Sequence, residues 1–241
     1  MFIAANWKMN LNKNQIYDFI NNIQDFKFSN DVEACIFPSS IFIDYVANLN
    51  KNLSILLGAQ NCHFSEKGAF TGETSPISLK LLGCNYVLLG HSERRINNNE
   101  NSNYVKKCSF SAINSDLIPI ICVGESLETR DKGNALDYIK NQVHESLPEN
   151  YKQAYIAYEP IWSIGTGQIP SHYEIEEIHT LIKDEVKKVT NKSVKVLYGG
   201  SVNPKNAKEI MSIKNVDGTL VGGASLNIKD FLAIYTSAVK Q

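Results

Sequence analysis

Eight short apolar runs rich in β-branched residues return along this 241-residue chain. Their spacing averages about 30 residues, the length of one strand–helix unit. They are "FIAAN" (2–6), "VEACIF" (32–37), "ILLGAQ" (55–60), "YVLLG" (86–90), "IPIICVG" (118–124), "AYIAYE" (154–159), "VKVLYGG" (194–200) and "GTLVGG" (218–223). Most lack strict apolar–polar alternation, which suits strands covered on both faces. Segments of helical period fill the intervals. The clearest covers 173–189, where Ile175, Ile178, Leu181, Ile182, Val186 and Val189 share one stripe. In "NPKNAKEIM", Asn203 reads as an N-cap and Pro204 as the first helical residue. The Asn-rich "INNNENSN" (96–103) reads as a surface loop opening a helix.

Right-handed strand–helix–strand units build either an open doubly wound sheet or a closed barrel. Eight units in about 250 residues match the barrel. The first run also ends in "NWKMN", without the glycine loop that opens a doubly wound sheet. No composition shift marks a boundary. The expected class is therefore α/β, a single (β/α)8 barrel domain over residues 1–241.

Charge and cysteine usage narrow the partners. A formal net charge of -1 leaves no electrostatic footprint for nucleic acid or an anionic membrane. No apolar run approaches the ~20 residues of a spanning helix. Met1 leads straight into "FIAAN", leaving no room for a signal peptide. The five cysteines, Cys35, Cys62, Cys84, Cys108 and Cys122, are scattered with no C-x-x-C pair. Neither a zinc site nor a disulfide framework is expected, and the compartment reads as reducing cytoplasm.

In a parallel barrel, functional groups gather where the strands end. The first run ends in Asn6-Trp7-Lys8, the fourth leads into Gly90-His91-Ser92-Glu93-Arg94-Arg95, and the sixth ends in Glu159-Pro160. The seventh and eighth end in Gly199-Gly200-Ser201 and Gly222-Gly223. Two glycine pairs after consecutive strands leave backbone N–H groups uncovered, as in a phosphate site, although each pair alone would equally make a tight turn. With no Arg or Lys inside either motif, a neutral cradle is expected.

An acid rarely ends a buried strand without a partner or a task. Glu159 is followed by Pro160, which removes the nearest capping N–H. The segment "PIWSIGTGQIP" is bracketed by prolines and carries Gly165 and Gly167, a build suited to a lid that excludes water. As an ordinary loop it would be unusual only in exposing Trp162 and Ile164. His91 stands before an expected helix start with Ser92 as cap, where the helix's positive end disfavours imidazolium. Lys8 could be a solvated surface charge and Asn6 a strand cap. Taken together, these groups suit proton abstraction next to a carbonyl, with donors placed on the developing enolate oxygen.

In these residues the chain resembles the triosephosphate isomerase family along its whole length, through "NWKMN", "GAFTGE", "GHSERR", "ICVGE", "YEPIWSIGTG", "YGGSV" and "VGGASL". The resemblance implies a TIM barrel that interconverts dihydroxyacetone phosphate and D-glyceraldehyde 3-phosphate in glycolysis and gluconeogenesis, with no cofactor and no metal. A glutamate base with a neutral histidine is the assignment known for that family. Carried over by position, Glu159 matches the base and His91 the electrophile. Lys8 and Asn6 match the substrate-binding pair, and Gly165, Ser201, Gly222 and Gly223 the phosphate positions. Glu93 matches the lysine's partner, its alternative being a first-turn dipole contact.

The family is dimeric, and "NCHFSEKGAFTGETS" (61–75) resembles its interlocking loop, with Thr71 at the tip. One departure stands at Gln168-Ile169-Pro170, where the family's lid commonly ends in a lysine and small residues. Two rival readings are a Schiff-base aldolase using Lys8 as the covalent amine, and a non-catalytic sugar-phosphate-binding barrel.

Overall fold

All eight apolar runs become strands in the computed structural model, which describes residues 1–51 and 53–239. They are β1 (Phe2–Asn6), β2 (Glu33–Phe37), β3 (Leu56–Ala59), β4 (Tyr86–Leu89), β5 (Ile118–Val123), β6 (Tyr155–Tyr158), β7 (Lys195–Tyr198) and β8 (Gly218–Val221). Each pairs in parallel with the next, and β1 with β8, closing an eight-stranded barrel. The strands stop one or two residues short of several sequence runs. Glu159, Gly199, Gly200, Gly222 and Gly223 thus lie just past the strand ends, on the mouth.

Strand parity separates the core into two layers and aims the site. Phe2, Ala4, Cys35, Phe37, Tyr86, Leu88, Ile120, Cys122, Tyr155, Ala157, Leu197 and Leu220 pack together inside the barrel. Their neighbours, such as Ile3, Ala5, Ile121, Ile156 and Val196, pack outward against the helices. Side chains alternate along a strand. Two residues beyond Ala4, Ala157, Leu197 and Leu220, the inward positions are therefore Asn6, Glu159, Gly199 and Gly222. An inward carboxylate at the top layer is thus dictated by register.

The helices follow their sequence signals apart from two starts, at Asn203 and at Ser92. The 173–189 stripe becomes helix His172–Thr190, started by a capping box between Ser171 and Glu174 and stopped at Asn191, whose φ is 55°. Asn101 caps helix Ser102–Asn114 by accepting the Tyr104 N–H. The expected N-cap at Asn203 is not realised. Its side chain accepts from Lys205 N–H at 2.9 Å, closing a local turn, and the helix begins only at Ala207. That i→i+2 bond gives the backbone an alternative to the first helical turn.

All five cysteines are free and buried. Burial pushes the Cys84 and Cys108 thiols up to about 12, so these thiols stay protonated at neutral pH. Among the described residues no helix is long and apolar enough to cross a membrane.

Candidate active site

Glu159 enters the mouth between two glycines that no other residue could replace without displacement. A Cβ on Gly124 would lie 1.8 Å from the Glu159 carbonyl oxygen, and one on Gly199 would lie 3.0 Å from its Cγ. The residue is 1% exposed. Its two oxygens are treated differently. Oε2 accepts the Ser92 N–H at 2.8 Å, whereas Oε1 has no hydrogen-bond partner among the described residues. Oε1 lies 3.1 Å from Nε2 of His91, close but without hydrogen-bonding alignment.

His91, not Ser92, is the N-cap of helix Ser92–Asn97, correcting the sequence expectation. The chain leaves β4 one residue earlier than a serine cap would need, with His91 at φ -52° and ψ 142°. Its Nδ1 accepts the Glu93 N–H at 3.2 Å. An accepting Nδ1 carries no proton, so the ring is a neutral imidazole with its proton on Nε2, the nitrogen facing Glu159. Ser92 supplies its backbone N–H to the carboxylate.

Lys8 is held in a backbone conformation that an L-residue rarely adopts, φ 50°. Such strain costs about 1–2 kcal/mol and persists only where neighbours over-determine it. Here the Asn6 side chain accepts the Lys8 N–H at 3.0 Å. The Gln60 amide donates to the Lys8 carbonyl at 2.7 Å and to the Phe37 carbonyl at 2.9 Å. The ammonium meets Glu93 Oε1 at 2.5 Å. Glu93 thus both sits in the first turn of its helix and pairs with the lysine. The pairing also opposes the desolvated, uncharged amine that a Schiff-base reading needs.

One cavity of about 310 Å³ gathers Asn6, Lys8, His91, Gly165, Ser201, Gly222 and Gly223. Glu159 is not among its walls and lies behind His91. The glycine wall expected to form a neutral cradle is not neutral. A Cβ on Gly222 would stand 3.7 Å from the Lys8 ammonium, so the cation shares the wall with the glycines. Sequence distance between the first and eighth strands hid this; barrel closure makes them neighbours.

The segment expected to act as a lid begins at buried Pro160 and ends at buried Pro170, with Gly165 to Ile169 exposed between them. Gly165 and Gly167 have φ of 71° and 78°, which only glycine adopts freely. Trp162 and Ile164 are half-buried, not exposed as an ordinary loop would have them. The Trp162 N–H donates to Glu125 at 3.2 Å, and the Arg130 guanidinium lies 5.5 Å from the indole. Glu125 is fully buried and also takes Arg130 at 2.8 Å and the Tyr158 hydroxyl at 3.0 Å. This charged cluster fixes one end of the lid to the barrel.

Sequence reasoning missed three residues here. Gln60 steadies Lys8, and Glu125 anchors the lid. Arg95 reaches under the mouth, donating to the Gly90 carbonyl at 2.8 Å and the Cys122 carbonyl at 3.0 Å. Burial lowers the Arg95 pKa, while neighbouring Cys122 and Glu159 oppose the shift. The 61–75 loop closes on itself through His63 N–H to Thr74 carbonyl at 2.9 Å, and Phe70 packs on the His63 ring. Its tip, including Thr71 and the 41% exposed Phe70, stands out in solvent.

Residues 1–238 match the family model described as triosephosphate isomerase. The chain is 41% identical to the triosephosphate isomerase of Ligilactobacillus salivarius over 241 residues, covering 96% of each. It is 43% identical to that of Alkaliphilus metalliredigens over 240 residues, covering 96% of this chain and 97% of the other. The crystal structure of triosephosphate isomerase from Bartonella henselae superposes with a TM-score of 0.89 at 35% identity, covering 99% of each chain.

Proposed function

The chain belongs to the triosephosphate isomerase family, and from that premise we propose how its mouth interconverts dihydroxyacetone phosphate and D-glyceraldehyde 3-phosphate. Glu159 is the base. Its Oε2 is anchored on the Ser92 N–H while Oε1, free of hydrogen bonds, keeps its lone pairs for a proton. To reach the substrate the carboxylate leaves Ser92 and turns into the cavity beneath the lid. There it takes the proton from the carbon beside the carbonyl, leaving an enediolate.

That oxygen needs donors, since a C–H next to a carbonyl is a far weaker acid than a carboxylic acid. His91 gives its Nε2 proton to that oxygen and takes one back from the adjacent hydroxyl, restoring the neutral ring, while protonated Glu159 delivers its proton to the neighbouring carbon, so the carbonyl moves by one carbon. Lys8 supplies positive charge to the oxygen and to the phosphate, and Asn6 lines the same wall. Backbone N–H groups at Gly165, Ser201, Gly222 and Gly223 hold the phosphate. Closure of the lid excludes water, which strengthens the base and protects an intermediate prone to expel phosphate. The observation that carries this reading is the 3.1 Å approach of an unpaired carboxylate oxygen to the protonated nitrogen of a neutral imidazole.

The direct test is a coupled isomerase assay in deuterium oxide. Turnover should be accompanied by solvent deuterium on carbon 2 of the aldose product. No turnover, or product wholly free of label, would count against proton abstraction by a side chain.

The whole chain is read as one barrel domain working as a homodimer. Thr71, at an exposed loop tip, would enter a pocket beside Asn6 and Lys8 of a second copy. Thr71→Arg should leave a folded chain that sediments at half the wild-type mass, with turnover lower by about 10²-fold because the mouth loses its outer support. An intact dimer at low concentration would refute this assignment. Five buried free thiols suit a reducing compartment, and the cytoplasm is proposed.

A further inference from the structure

We propose that the Ser163 hydroxyl is a positioning group that couples the lid to the phosphate cradle, occupying the Ser201 N–H until a phosphoryl oxygen takes it. The inference rests on the cradle proposed above and concerns a residue that reading did not assign. Ser163 ends the short 3₁₀ turn Ile161–Ser163 at the start of the lid and is fully buried. Its single hydroxyl proton goes to the Gln168 carbonyl at 2.6 Å, bridging the two sides of the lid. Its oxygen faces the Ser201 N–H at 3.3 Å and the Tyr198 hydroxyl at 3.5 Å. With the proton committed, both of those groups donate to the serine oxygen. The Ser201 hydroxyl answers by donating to the Ser163 carbonyl at 2.6 Å. One oxygen therefore touches the lid, the end of β7 and the cradle.

The lengths decide which contact yields. The 2.6 Å bond to Gln168 is short and strong, whereas the 3.3 Å bond from Ser201 is long, neutral and weak. A phosphoryl oxygen offers the same N–H a charge-assisted bond of about twice the strength. Exchange at Ser201 thus favours the ligand, and it loosens the lid's first turn when the phosphate arrives, leaving the Ser201 hydroxyl on the Ser163 carbonyl as the remaining link. Until then Ser163 competes with the phosphate, so its hydroxyl weakens ground-state binding while linking binding to lid movement.

The test compares wild type, Ser163→Ala and Ser163→Thr, reading kcat, KM and the competitive inhibition constant of inorganic phosphate. Ser163→Ala should bind inorganic phosphate about 3–10-fold more tightly, the range expected for removing one neutral hydrogen-bond competitor. KM should fall in parallel, by more than kcat changes, and Ser163→Thr, which keeps the hydroxyl, should restore the wild-type constants. A serine that merely fills space would behave oppositely, with KM and the inhibition constant rising as the pocket loosens. Should the threonine variant fail to fold, Ser163→Gly must match Ser163→Ala. Unchanged or weaker phosphate binding by folded Ser163→Ala overturns the coupling and leaves the cradle standing. Failure of phosphate to compete with substrate in the wild type overturns both.

Discussion

Replacing Glu159 with aspartate is expected to lower kcat by about 10²–10³-fold while KM stays within a few-fold of wild type. The carboxylate retreats by one methylene, roughly 1.5 Å. Misplacement of a reacting group by about 1 Å can already cost 10²-fold. The same change strips the Ser92 N–H of its 2.8 Å acceptor in a buried site. An orphaned buried donor costs about 1–3 kcal/mol, so the melting temperature should also fall by a few degrees. Glu159→Gln separates the two effects. Its amide oxygen can still accept from Ser92, so stability should stay near wild type, yet it has no basic oxygen and turnover should fall at least as far. A glutamine variant within about tenfold of wild-type turnover would remove Glu159 from the role of base, because general base catalysis contributes about 10²–10⁴-fold.

The legibility of this site in the sequence follows one physical rule. A polar residue that ends an apolar strand run points into the mouth if its parity matches the inward layer. Asn6 and Glu159 satisfy that rule, and both line or adjoin the mouth. Gln60 ends the third run in the same way, and its amide braces the Lys8 carbonyl. The signal was present there, but an uncharged amide suggests no chemistry by itself.

Arg95 and Glu125 were illegible for a different reason. Their partners, the Cys122 carbonyl and Trp162, are 27 and 37 residues away, and only the packed barrel brings them near. Cap assignments failed where local propensity met the strand's exit. Serine outranks histidine as an N-cap in general, yet the backbone bends at His91, and the ring nitrogen takes the bond. The consequence is functional, since the same bond fixes the tautomer. The expectation of a neutral cradle failed because charge was sought within two short motifs, while the cation came from the opposite end of the chain.

Lys8→Met is expected to lower kcat/KM by about 10³-fold or more, through both terms, with almost no loss of stability. The stability side follows from exposure. The lysine and Glu93 side chains are 25% and 48% exposed, and ion pairs this open contribute about 0–1 kcal/mol. The kinetic side is larger because substrate and enediolate both carry negative charge beside this wall. A donor aimed at a developing oxyanion is worth about 3–4 kcal/mol when removed, which is 10²–10³-fold in rate. Loss of attraction for the phosphate raises KM in addition.

Glu93 makes the result sharper. Without its partner 2.5 Å away, that carboxylate becomes an uncompensated anion facing an anionic ligand. The double variant Lys8→Met/Glu93→Gln should therefore recover part of the loss, mainly in KM, giving a coupling that additive effects would not produce. Lys8→Arg tests geometry against charge. The guanidinium keeps the charge, but its planar fork cannot occupy the point that a compact ammonium fills, so kcat should remain well below wild type. If the methionine variant kept kcat/KM within about tenfold of wild type, the left-handed backbone at Lys8 would be strain without catalytic return. The braces at Asn6 and Gln60 would then need another explanation.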